Sequence, residues 1–144
     1  MTKLQRTKYP PGVNGDDVYC IYPDFEDDLK KCLYKSGNKE RFCGMLNQRI
    51  KWVLEKGTAC IIKRDWAEPL KHCPKHILYS LRFKDKENVR IIFIFNNSTP
   101  VFLSAFKEKN SYSYPDGMDI AHKRISKLID AGLLEEGNIV CHSN

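Results

Sequence analysis

The chain has no Cys-x-x-Cys pair among its six cysteines (20, 32, 43, 60, 73 and 141), no glycine-rich phosphate loop and no Gly-x-Ser-x-Gly elbow. The first absence argues against a zinc knuckle or a thioredoxin-like redox centre. The other two argue against nucleotide hydrolysis through a P-loop and serine-hydrolase chemistry. No apolar stretch approaches the length of a membrane span. The first eleven residues hold no apolar run, so a secretory leader is not expected. Reduced, mostly buried thiols in a cytoplasmic protein away from any membrane are therefore the expectation. There is no internal repeat and no sign of a second domain.

What is present is a chain of 144 residues, enough for one domain that needs neither metal nor disulfide to fold. The net charge is +6, and most of the excess is local. Between Lys71 and Lys109 there are eight basic residues against three acids, Asp85, Glu87 and Glu108. A basic excess gathered in one segment is the footprint of a polyanion partner.

Residues 1–17, with Pro10-Pro11-Gly12 and Asn14-Gly15, read as a flexible lead-in. Val18 to Tyr22 is a short β-prone run stopped by Pro23. A helix is predicted over 23–35, with Phe25, Leu29, Cys32 and Leu33 as its stripe and acids at its start. Glu26, Asp27 and Asp28 are adjacent and point apart, which suits helix-start electrostatics better than a metal site. A second helix is predicted over 39–56, closed by Gly57. The short link makes the two helices an antiparallel hairpin. Residues 58–74 read as a loop with one short strand at 60–63. Strands are predicted over 77–84, 88–95 and 100–106, a third helix over 116–134, and a loose tail over 135–144. The expected class is α+β, a helical hairpin packed on a small, mainly antiparallel sheet with a C-terminal helix. The single domain spans 18–134.

Alternation fixes the register of the central strands. Ile77, Tyr79, Leu81 and Phe83 share one side of the first strand, and Val89, Ile91, Phe93 and Phe95 share one side of the second. A three-residue loop, Asp85-Lys86-Glu87, puts both sets on one face. That register sets Arg82 opposite Arg90. Like charges so placed are destabilising unless a carboxylate or a ligand sits between them. Two guanidinium groups suit a phosphate, whereas Glu87 or Glu108 could instead neutralise them within the fold. Downstream, Lys107, Lys109, Tyr112 and Tyr114 mix cations with aromatics, which suits single-stranded RNA. His72-Cys73 with His76 has loose metal-ligand character but no second cluster at zinc spacing, and Cys141-His142 in the loose tail adds little. No metal and no cofactor is expected.

The runs Leu78-Tyr79-Ser80-Leu81-Arg82-Phe83, Val89-Arg90-Ile91-Ile92-Phe93 and Phe102-Leu103-Ser104-Ala105-Phe106 resemble the RelE/HigB toxins of toxin–antitoxin pairs. So do Lys109 through Pro115 and Asp119-Ile120-Ala121-His122-Lys123-Arg124, and the similarity covers about 18–134. The resemblance implies a RelE-like fold and metal-independent cleavage of mRNA at the ribosome, which inhibits translation, with the 2′-hydroxyl as internal nucleophile. It implies a cognate antitoxin, of helix-turn-helix type, as partner. On this reading Arg82 and Arg90 hold the scissile phosphate, Lys109 stabilises charge, Tyr112 stacks or shifts a proton, and His76 is an acid/base. Lys84, Lys107 and Tyr114 bind RNA. Ser80 stands where the family has a glutamate, Glu108 interrupts its double lysine, and the loop to Pro115 is one residue longer. The alternatives are a non-enzymatic toxin resembling ParE, which acts on DNA gyrase, and an RNA-binding module of the same fold with weak or lost cleavage.

Overall fold

The computed structural model describes residues 1–35, 37–70, 75–85, 87–109 and 113–141. The class is α+β, with a six-stranded, mostly antiparallel sheet and three α-helices. The strands are β1 (Lys3–Arg6), β2 (Tyr19–Tyr22), β3 (Ala67–Pro69), β4 (Tyr79–Phe83), β5 (Val89–Asn96) and β6 (Thr99–Lys107), and their order in the sheet is β1-β2-β6-β5-β4-β3. Only β2 and β6 run parallel, through Tyr19 beside Val101 and Cys20 beside Phe102.

Helix α1 (Asp24–Leu33) buries Phe25, Leu29, Cys32 and Leu33, the stripe expected from their spacing. Helix α2 (Lys39–Lys56) has the predicted bounds and ends at Gly57, whose positive φ of 57° suits glycine. Aromatic contacts tie both helices to one sheet face: Phe25 meets Phe102 and Phe42 meets Phe83. Helix α3 (Ser113–Asp130) covers the other face, where Gly117 lies against the Phe106 ring and its carbonyl accepts from Ser104 Oγ at 3.4 Å. The sheet is thus buried on both sides, and Ser80, Ile92 and Ile94 are fully enclosed.

The short β2 leaves the edge of β6 unpaired beyond Phe102, and side chains complete it. Ala105 N–H donates to Asp28 Oδ2 at 3.2 Å, and the Leu103 carbonyl accepts from Arg124 Nη1 at 2.7 Å. Asp28 and Arg124 are themselves paired at 2.5 Å, and Lys127 reaches Asp24 at 3.2 Å. The acids at the start of α1 therefore bind α3 as well as suiting the helix terminus. Buried backbone groups need such partners wherever a ladder stops.

Five segments differ from the sequence reading. The third helix, expected over 116–134, runs over Ser113–Asp130 and stops before Gly132, whose φ is 72°. Residues 1–17 supply β1, paired with β2 in the register Lys3 to Tyr22 through Arg6 to Tyr19. Thr7 N–H continues that ladder to the Val18 carbonyl, and the backbone at Gly15 lies close enough to Thr7 to exclude a Cβ. Residues 57–62 form a 3₁₀ helix in place of a strand at 60–63, and the Trp52 indole donates to the Cys60 carbonyl at 2.9 Å. β3 arises in the expected loop. Finally, 135–141 is ordered: a 3₁₀ turn over Glu136–Asn138 leads into bridges from Ile139 to Asn96 and from Cys141 to His76. Val140 bonds to Ile77 N–H on one side and donates to the Phe95 carbonyl on the other. It wedges the ends of β4 and β5 apart, so β4 begins at Tyr79 rather than Ile77.

Candidate functional site

The predicted register holds: Arg82 faces Arg90, flanked by Ser80 opposite Ile92 and Phe83 opposite Val89. Two cations so placed need compensation, and it comes from two directions. Glu108, just beyond β6, accepts from Arg90 Nε at 2.6 Å. Glu68, from β3, accepts from Arg90 Nη1 at 2.7 Å and lies 3.9 Å from Arg82 Nε. The Arg90 guanidinium also lies 3.5 Å from Ser80 Oγ and 5.0 Å from the centre of the Tyr114 ring at the start of α3. Arg90 is only 7% exposed. Burial alone would lower its pKa, but its hydrogen bonds to Glu108 and Glu68 hold it above the ordinary arginine value. The carboxylate expected to neutralise the arginines does so at Glu108. Glu87 instead pairs with Lys107 at 2.7 Å.

The cationic face is therefore closed rather than open. α3 packs over the β5 and β6 part of it, with Tyr114 over Arg90, and both arginines already lie beside carboxylates. Arg82 is the more accessible of the two, with a quarter of its side chain exposed. Lys84 pairs with Asp65 at 2.9 Å, which holds that carboxyl below its usual range. Lys107 and Lys109 line a recess of about 330 Å³ with Lys31, Asp28 and Cys32, on the α1 side. Lys109 N–H donates to Ser113 Oγ, at the first residue of α3, at 3.1 Å. Tyr112 lies outside the described residues, as do His72, Cys73, Lys86 and His142.

His76 is not brought to this cluster. It sits at the opposite end of β4, roughly 20 Å from Arg82 at the rise of an extended strand. Its neighbours there are Cys141, Glu136 and Lys75. Among the described residues, no group of three or more His, Cys, Asp or Glu could hold a metal ion.

Three contributors were not anticipated. Glu68 lies in a segment too short and irregular to announce a strand, although two facing arginines were a signal that a further acid was required. Arg49 of α2 is buried, donates from Nε to the Arg82 carbonyl at 2.9 Å, and lies within 5 Å of the Trp66 and Phe83 rings. Burial lowers its pKa. It thus fixes the backbone at the residue that faces Arg90. Glu136 had no sequence signal at all. Compared with known proteins, the chain matches no family model, no curated protein and no solved structure.

Proposed function

We propose that the chain is a toxin of RelE/HigB type, cytoplasmic and neutralised by a cognate antitoxin, that cleaves mRNA at the ribosome without a metal. The observation that carries this reading is the register of Arg82 against Arg90, with Lys84, Lys107, Lys109 and Tyr114 around the same end of the sheet. Cations beside an aromatic suit an unpaired RNA strand. Support for a RelE-like arrangement comes from two helices before β4, β5 and β6 and one helix after them. The glutamate that the family carries at position 80 has a counterpart in Glu68, which faces Ser80 across the β3–β4 pairing.

On this reading Arg82 stabilises the charge that grows on the phosphate as the 2′-hydroxyl attacks, while Lys107 and Lys109, on the α1 side, hold the flanking RNA backbone. Arg90 and Tyr114 form the floor that positions Arg82. Tyr112 stacks on a base or moves a proton. His76 is too distant to take part.

The test is induced expression followed by mapping of mRNA ends, with Arg82→Ala as the comparison. New ends inside translated messages are expected, and Arg82→Ala should lower their yield by about 10²-fold, the effect of losing one charge-stabilising donor. A second reading has a specific observation behind it. The two carboxylates on Arg90 compete with any phosphate, which favours a module that binds RNA but does not cleave it. Intact messages with the protein bound to ribosomes would select that reading. Intact messages with impaired DNA supercoiling would select the gyrase-directed alternative.

A further inference from the structure

The end of β4 remote from the arginines carries a constellation that the proposed function leaves unused. The Cys141 Sγ lies 3.5 Å from His76 Nδ1, and His76 Nε2 lies 3.5 Å from Glu136 Oε1. Lys75 pairs with the same Glu136 oxygen. The backbone holds the three together, because Cys141 and His76 form a β-bridge and Ile77 N–H donates to the Val140 carbonyl. The His76 side chain is 8% exposed, while Cys141 is exposed.

Nucleophile, base and orienting carboxylate in series are the arrangement that activates a weak nucleophile. Glu136 favours the imidazole tautomer with its proton on Nε2, leaving the Nδ1 lone pair toward the thiol. Transfer of the thiol proton to Nδ1 then places an imidazolium between thiolate and carboxylate. In the structure the thiol donates to the Ile139 carbonyl at 3.2 Å, and rotation about the Cβ–Sγ bond turns its proton from that carbonyl to Nδ1. The other four free cysteines among the described residues are of a different kind. Cys20, Cys32, Cys43 and Cys60 are buried, and burial raises each thiol pKa, to about 11 for Cys20 and Cys60 and about 12 for Cys32. A reactive thiol must be accessible, and of these five only Cys141 is exposed.

We propose that Cys141 is a reactive thiol, with His76 as its base and Glu136 as the carboxylate that orients the base, and that small hydroperoxides oxidise it to a sulfenic acid. An exposed sulfur favours a small reagent over a substrate that must be enclosed. The thiolate attacks the distal peroxide oxygen, so an S–O bond forms as the O–O bond breaks. The departing alkoxide or hydroxide takes the proton from the His76 imidazolium and leaves as alcohol or water. Sulfur is oxidised by two electrons and the peroxide is reduced by two.

The experiment treats the full-length folded protein with hydrogen peroxide, traps sulfenic acid with dimedone, and follows each cysteine peptide by mass spectrometry. Cys141 should be trapped well ahead of the four buried cysteines. His76→Gln should slow trapping by about 10²-fold, the low end for loss of a general base. Glu136→Gln should slow it by about tenfold, as loss of an orienting partner does. Glu136→Asp should recover most of the wild-type rate, which a merely structural carboxylate would not explain. Glu136 is half-exposed, so its variants leave the core intact. Equal trapping at all five cysteines would overturn the proposal, as would a Glu136→Gln rate equal to wild type. Either result is independent of whether the protein acts on RNA.

Discussion

The two ends of β4 handle buried charge in opposite ways. At one end Arg90 is enclosed and saturated: two carboxylates, a hydroxyl and an aromatic ring account for its surroundings. At the other, His76 is equally enclosed but sits between a thiol and a single carboxylate that it shares with Lys75. The first arrangement is closed, since a guanidinium cannot give up its proton and must keep its partners. The second is open to change, since an imidazole can be neutral or charged within the ordinary pH range. Equal burial therefore produces a fixed structural ion network in one place and a titratable site in the other.

The contrast breaks most sharply if the carboxylates on Arg90 are removed. Glu68→Ala with Glu108→Ala strands a buried cation and should cost about 3 kcal/mol in urea unfolding, the low end for a broken buried pair because both carboxylates are partly exposed. Adding Arg90→Met to that background should recover much of the loss. A double variant as stable as wild type would mean that Arg90 does not depend on its partners.

A smaller effect is expected from Gly117→Ala, at the same end. A Cβ there would lie 2.3 Å from Cε1 of Phe106, whose backbone pairs with Arg90. The ring must move, and overpacking of this kind costs about 1–3 kcal/mol, against a gain of up to about 1 kcal/mol in helix propensity. Thermal unfolding distinguishes a net loss from a net gain.

The smallest effect belongs to the other end. Burial, aided by Lys75 and His122 and opposed by Glu136, lowers the His76 pKa below its ordinary 6.5. The unfolded chain then binds the proton more readily than the folded one. The stability from neutral His76 is present above about pH 6.5 and is lost as pH falls toward the folded value. Melting temperatures measured between pH 7 and pH 5 should fall less steeply for His76→Gln than for wild type. Parallel slopes would show that His76 does not titrate differently on folding.

Much of this frame was legible in the sequence, for identifiable reasons. The stripe of α2 and its terminal glycine set that helix to the residue. The alternation of Tyr79, Leu81 and Phe83 against Val89, Ile91 and Phe93 set the register of β4 and β5, and hence the facing arginines. The same alternation held a second message. Leu78, Ile92 and Ile94 lie on the arginine side, and three large apolar residues there require a cover, which α3 provides. Segments that depend on distant partners were illegible. Lys3–Arg6 has one apolar residue and becomes a strand only because β2 offers an edge. Ala67-Glu68-Pro69 and Ile139-Val140-Cys141 are three residues each and take their conformation from β4 and β5. The site shows the same division. The arginines follow from local pattern, whereas Glu68, Glu136 and the approach of Cys141 to His76 follow from tertiary placement.

The outermost strands also bear on how this protein behaves at high concentration. An unpaired sheet edge is a template on which a second molecule can extend the ladder and begin an aggregate. Here one edge, β1, is four residues long and bounded by exposed Lys3 and Arg6. The other, β3, is three residues long and ends in Pro69, which has no N–H to donate. The long apolar strands β5 and β6, the most adhesive part of the chain, lie at the centre of the sheet. Self-association through strand addition is thereby discouraged at both borders, by brevity and charge on one side and by a missing donor on the other.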